Sequence, residues 1–138
     1  MTKTYLQGAG VVLVLIALLG SLTLYAERAQ APADSGTAGS VTLTIEGLYS
    51  ARQVSIRAGE TALQVLADLD AQDPAVQLMT KEYAGLGTLV EGIGSLHNGT
   101  GGKYWQYTVD GVMPQVGAGT YVLNSGDAVD WFFAASQE

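Results

Sequence analysis

Val41-Thr42-Leu43-Thr44-Ile45-Glu46, then Arg52-Gln53-Val54-Ser55-Ile56-Arg57, then the run Ala58 to Leu69 (AGETALQVLADL) set the architecture of this chain. The first two stretches alternate apolar and polar residues with period two, the pattern of strands with one buried face, and their spacing predicts a hairpin. In the third stretch Leu63, Val65, Leu66 and Leu69 recur at helical spacing behind Thr61, a good N-cap residue. This predicts a helix from about Ala62 to Ala71, ended before Pro74.

Downstream of the helix the pattern returns to strands. Leu86 to Leu96 (LGTLVEGIGSL) is glycine-punctuated and strand-like, and His97 to Gly102 (HNGTGG) is a turn cluster. Lys103 to Val109 (KYWQYTV) is the most strand-prone run, Asp110-Gly111 signals a tight turn, and Tyr121 to Leu123 reads as a short strand. After the turn Asn124 to Asp127, Ala128 to Phe133 (AVDWFF) closes the chain as a last strand. Two strands, one helix and three or four further strands predict an α+β domain whose mixed sheet is covered by one helix, the β-grasp arrangement. An antiparallel sandwich is the alternative, and it leaves the helical face unexplained.

Upstream, Gly8 to Tyr25 (GAGVVLVLIALLGSLTLY) carries no charge over 18 residues, which as a helix spans about 27 Å and nearly matches the bilayer hydrocarbon. The reading is a cytoplasmic N-terminus at residues 1–7 and a transmembrane anchor at 8–26. A flexible linker at 27–40 and a folded domain at 41–135 follow. Lys3 before the span is unopposed while Arg28 is offset by Glu27, which orients the domain outside a cytoplasmic membrane. A cleaved signal peptide would make the domain secreted instead, but the span is longer than most such apolar cores and Pro32 follows the best small-x-small site. A buried core helix is disfavoured, because so small a domain cannot surround a helix that is apolar on all sides.

With 138 residues, one small domain is the ceiling. The 13 acidic residues against 6 basic ones repel phosphate backbones, so nucleic acid is not an expected partner. Zero cysteines exclude disulfides, thiolate metal sites and a cysteine nucleophile. His97 is the single histidine, and Ser95 and Asp110 near it lack a nucleophile-elbow pattern, so no catalytic residue is nominated and the chain reads as a non-enzyme. Asp68, Asp70 and Asp73 lack the glycine and distal glutamate of a calcium loop and read as a solvated helix end. No metal ligand is nominated there. Asn98-Gly99-Thr100 is a formal glycosylation acceptor.

The aromatic residues carry most information. Tyr104, Trp105, Tyr107, Tyr121, Trp131, Phe132 and Phe133 all lie in the last 35 residues. Strand alternation puts Trp105, Tyr107 and Val109 on one face and Tyr104, Gln106 and Thr108 on the other. Likewise Val129, Trp131 and Phe133 oppose Asp130 and Phe132. One set is core, and the other is available as a platform for a flat ligand or a partner chain.

Tyr104-Trp105-Gln106, and Gly111-Val112-Met113-Pro114 followed by Tyr121, resemble the C-terminal domain of the vitamin B12 carriers transcobalamin and intrinsic factor. The wider pattern is Val41 to Ile45, Gly59-Glu60-Thr61-Ala62, the aromatic strand, Asp110-Gly111, Tyr121 to Leu123 and Gly126-Asp127 with Trp131. It resembles a group of bacterial transcobalamin-C-terminal-like domains of unknown function that are often exported or membrane-tethered. The resemblance covers residues 41 to 133 and implies a β-grasp fold. It also implies a corrinoid, cobalamin-like ligand contacted by Tyr104, Trp105, Gln106 and Tyr121, with no cofactor required. In the carriers a larger helical domain supplies the other half of the site, and nothing in these 138 residues resembles it. The expected function is therefore a membrane-tethered extracytoplasmic binding module. The alternative is an exported protein-protein interaction or adhesion module with no small ligand.

Overall fold

Alternation builds the main sheet. In a computed structural model that describes residues 36–137, β1 (Thr37–Ile45) pairs antiparallel with β2 (Tyr49–Arg57). The helix α1 (Ala62–Gln72) follows. β3 (Met79–Tyr83), β4 (Gly87–Ile93) and the two-residue β5 (Leu96–His97) form a small antiparallel sheet in the order β3-β4-β5. β6 (Lys103–Val109) and β7 (Ala128–Ala135) then return to the first sheet, whose order is β2-β1-β7-β6. β7 runs parallel to β1, with Thr42 opposite Ala128 and Ile45 opposite Trp131, and antiparallel to β6. The domain is thus α+β, with one mixed sheet, one small sheet and one long helix among the described residues.

The sequence-predicted helix is present within one residue of its expected end. Thr61 caps it: its hydroxyl accepts from Gln64 N at 3.3 Å while Gln64 Oε1 accepts from Thr61 N at 2.9 Å, a reciprocal capping box. Its buried residues are Ala62, Val65, Leu66 and Leu69, one stripe at helical spacing. They share one core with Val41, Leu43 and Ile45 of β1, Trp105, Tyr107 and Val109 of β6, and Val129, Trp131 and Phe133 of β7. The face left open by alternation is thereby settled, since the Trp105 and Trp131 faces point inward. Among the described residues every core residue lies between Val41 and Phe133, and Ser35–Glu138 is a compact unit.

Three local readings are corrected. β1 begins at Thr37, so Thr37 to Ser40 pair with Arg57 to Ser55 instead of belonging to a linker; their small side chains hide a strand held by backbone bonds. β3 was not expected, because Met79 to Lys81 and Glu82 are exposed and display no buried alternation. Tyr121 to Leu123 is not a strand: it meets the rest of the fold through an isolated bridge from Val122 to Thr61, with Leu123 N donating to Glu60 O at 2.9 Å. The Asp110-Gly111 turn is as read. Both residues have positive φ (51° and 78°), and Val109 and Val112 bond each other across it. The cytoplasmic N-terminus (1–7), the transmembrane anchor (8–26) and most of the linker lie outside the described residues. Among the described residues no helix is long and apolar enough to cross a membrane.

Candidate functional site

β6 is an outer strand of the four-stranded sheet, and β4 of the small sheet passes beside it without forming a ladder to it. The two are joined by one side chain. Asn98 Nδ2 donates to the Val90 carbonyl of β4 at 2.9 Å, and Asn98 Oδ1 accepts the Trp105 amide of β6 at 2.8 Å. Where the strands are not bridged a cleft of about 270 Å³ remains. Trp105, Tyr107 and Trp131 wall it from the main sheet, Thr88 to Val90 from the small one, and Gly117 and Ala118 from the loop before Tyr121.

The aromatic walls are held by stacking and by hydrogen bonds. Tyr107 lies 5.0 Å from Trp131 with ring planes 24° apart, and Trp105 lies 5.4 Å from Phe133 at 47°. The Trp105 indole N–H donates to Leu96 O at 2.9 Å, and the Tyr107 hydroxyl donates to Val116 O at 2.7 Å, which fixes the 116–118 wall. The Trp131 indole N–H is different: it is buried and has no hydrogen-bond partner among the described residues.

Burial, with a smaller contribution from neighbouring Tyr121, pushes the Tyr107 hydroxyl up to about 12. An acid whose folded pKa exceeds its unfolded value near 10 favours folding below that value and loses the contribution as pH rises through the folded one. Stability is therefore expected to fall between about pH 10 and 12, with a smaller drop in Tyr107→Phe. Urea midpoints across that range check this, and an identical alkaline limb in the variant would refute it.

The four nominated residues divide. Tyr104, 43% exposed, and Trp105, 7% exposed, both line the cleft. Gln106 points to the other sheet face, where its amide nitrogen donates to the Ala134 and Ala135 carbonyls at 3.1 and 3.0 Å. Tyr121 is half-buried and stands edge-on to Tyr107 at 6.3 Å, behind the wall. Tyr107 and Trp131 were not nominated, although their period-two register places them on the Trp105 face. Asn98, read only as a glycosylation acceptor, instead clasps β4 to β6, alongside the Trp105 indole bond to Leu96 of β5.

The Asp68, Asp70 and Asp73 series is occupied structurally. Asp68 pairs with Arg57, Asp70 accepts from Leu78 N at 2.9 Å, and Asp73 accepts from the Tyr49 hydroxyl and from Ala75 N. A second hollow, about 230 Å³ between β2 and α1, is polar, with Arg52, Glu60 and Asp68 in its lining. Burial pushes Glu60 there upward, but hydrogen bonds from the Arg57 amide and guanidinium outweigh it and keep the carboxylate below its ordinary range. Among the described residues no group of three or more His, Cys, Asp or Glu side chains could hold a metal ion.

A mixed sheet crossed by one helix, with an aromatic cleft at its outer strand, defines an α+β domain built around a hydrophobic recess. A family model, the domain of unknown function DUF4430, matches residues 59–135, and the chain belongs to that family. Solved structures share the fold, two of them as follows. One is haptocorrin in complex with Cbi, at 21% identity and a TM-score of 0.60, covering 71% of this chain and 25% of that one. The other is a candidate metal binding protein from Ruminococcus gnavus ATCC 29149, at 12% identity and a TM-score of 0.51, covering 72% of this chain and 99% of that one. The chain thus spans a quarter of the haptocorrin it matches. No curated protein matches it in sequence.

Proposed function

We propose that this chain is a non-catalytic binding module whose cleft receives part of a corrinoid or a comparable flat ligand. The observation that carries the reading is the aromatic cleft beside β6, on a fold shared with haptocorrin, solved in complex with Cbi. Tyr104 and Trp105 would contact the ligand, with Gln106 and Tyr121 behind them. The sheet order β2-β1-β7-β6 with one covering helix supports a β-grasp classification. The uncharged stretch at residues 8–26 supports display outside a cytoplasmic membrane, or secretion if that stretch is removed.

The cleft, at about 270 Å³, is smaller than the roughly 300–1,000 Å³ that encloses a drug-sized molecule, so it holds one edge or arm of a corrinoid and leaves the remainder to solvent or to a second chain. Affinity from this domain alone is accordingly modest. Titration of the full chain with cobinamide, followed by co-elution, is expected to give saturable binding that weakens by about tenfold in Tyr104→Ala, equivalent to roughly 1.4 kcal/mol. Tyr104 is exposed enough that its loss leaves the fold intact, and circular dichroism checks this. Absence of binding at millimolar cobinamide would remove the corrinoid reading. The second reading, pairing with another exported protein, would then lead, because β2 is an outer strand of the main sheet.

A further inference from the structure

The two outer strands of the main sheet differ. β6 has β4 beside it, whereas no strand of the described residues lies beyond β2, which is nine residues long. The register shows which backbone groups of β2 are engaged. Thr42 N donates to Asp127 O and Glu46 N to Trp131 O, each at 2.9 Å, so Thr42 bonds toward β7 and its neighbours Val41 and Leu43 bond toward β2. Val41 is opposite Val54 and Leu43 opposite Arg52. That turns the N–H and C=O groups of Gln53 and Ser55 outward, and none of them has a partner among the described residues. Such an edge is a template for a further strand.

The edge opens onto a groove. The hollow of about 230 Å³ between β2 and α1 is lined by the consecutive residues Arg52 to Ser55 and, from the helix, by Val65, Asp68, Leu69 and Gln72, a single stripe at helical spacing. Val65 and Leu69 are buried and give it an apolar floor. Arg57 meets Asp68 at one end and Arg52 lies 3.9 Å from Asp73 at the other, so β2 and α1 run in opposite senses along the groove. The ends differ in charge. Toward Arg57, the Glu60 and Asp68 carboxylates share one guanidinium, which leaves one negative charge in excess. Burial and then the Glu60 carboxylate push the Asp68 carboxyl above its ordinary value, against the pull of Arg57. Toward Arg52 the charges balance, one guanidinium to the Asp73 carboxylate.

We infer that β2 accepts an extended peptide segment as an added antiparallel strand, with an aliphatic side chain over Val65 and Leu69 and, two residues before it, a lysine or arginine beside Glu60 and Asp68. Peptide residues opposite Gln53 and Ser55 exchange backbone hydrogen bonds with them, and the residues between share the inward face of Val54 and Ile56 and enter the groove. The backbone bonds hold any extended segment, while the excess carboxylate and the apolar floor choose among segments. This edge is at the opposite side of the main sheet from the aromatic cleft, so its test does not depend on the corrinoid reading.

The test titrates the blocked peptide acetyl-Thr-Lys-Thr-Ile-Thr-amide into the ¹⁵N-labelled full chain in dodecyl maltoside. Binding is expected to be saturable and to slow amide exchange at Gln53 and Ser55 by about tenfold or more, with exchange at Tyr107 unchanged. A peptide methylated on the nitrogen of its central threonine cannot donate to the Ser55 carbonyl and should bind about tenfold weaker or more. Replacing the peptide lysine by glutamate should weaken binding by about threefold, the scale of an exposed ion pair, and Asp68→Lys should reverse that order. Asp68 is exposed enough that the substitution leaves the fold intact, which circular dichroism checks. Absence of binding at millimolar peptide, unslowed exchange at Gln53 and Ser55, or equal affinity for the methylated peptide would each overturn the added strand. A preference for lysine that persists in Asp68→Lys would overturn the assignment of the basic residue to this end of the groove. Signals that move around Trp105 and Tyr107 instead of β2 would put the peptide in the aromatic cleft and overturn the site.

Discussion

Replacing Trp131 by alanine is expected to lower the unfolding free energy by about 3–5 kcal/mol. Trp131 is 3% exposed, sits on the inner strand β7, and stacks on Tyr107, so its removal opens a cavity between the main sheet and the cleft. Domains of this size are stable by only about 5–15 kcal/mol in total, so the variant would be partly unfolded at modest urea. Trp131→Phe is expected to lose far less: it keeps an aromatic stack and removes an N–H that has no partner among the described residues. Urea midpoints for the three proteins measure this order. A loss in the alanine variant below about 1 kcal/mol would mean that the ring is not wedged as described.

Asn98→Ala is expected to cost about 2–3 kcal/mol, because one truncation leaves both the Val90 carbonyl and the Trp105 amide without a partner. The effect is local as well as global. Hydrogen exchange at the Trp105 amide should accelerate more than at Val129, which lies in the same sheet away from the clasp. Asn98→Asp keeps an acceptor for Trp105 but removes the donor to Val90, and it should fall between alanine and the original residue. Equal exchange rates at Trp105 in all three proteins would show that the clasp does not hold the small sheet to the large one.

These expectations mark where the sequence was readable. The alternation in Val41 to Glu46, the Thr61 cap and all seven residues of Lys103 to Val109 were legible because each is a local pattern with a local cause. The inward face of β6 followed once its partner was known, since Trp105, Tyr107 and Val109 share a register. What was not legible depends on the rest of the chain. β3 carries no buried stripe, and Thr37 to Ser40 have side chains too small to advertise a strand. Val122 looks like a strand residue but meets Thr61 at the helix cap through a single bridge. In the cleft, Tyr104 and Trp105 came from a motif, and Tyr107 and Trp131 were implied by their register. Val90, Asn98 and Ala118 come from three separate segments that only tertiary packing assembles.

The parallel pairing of β1 with β7 also has a mechanical meaning. The domain begins at one end of β1 and finishes at the far end of β7, so a force drawing its termini apart acts along both strands in opposite senses. Every bond between them is then loaded together instead of being peeled one at a time. The Glu46 carboxylate, which accepts the Phe133 amide at 2.9 Å, adds a side-chain rung beyond the backbone ladder. Resistance to extension therefore resides in this short junction, and the outer strands β2 and β6 stay unstressed until it yields.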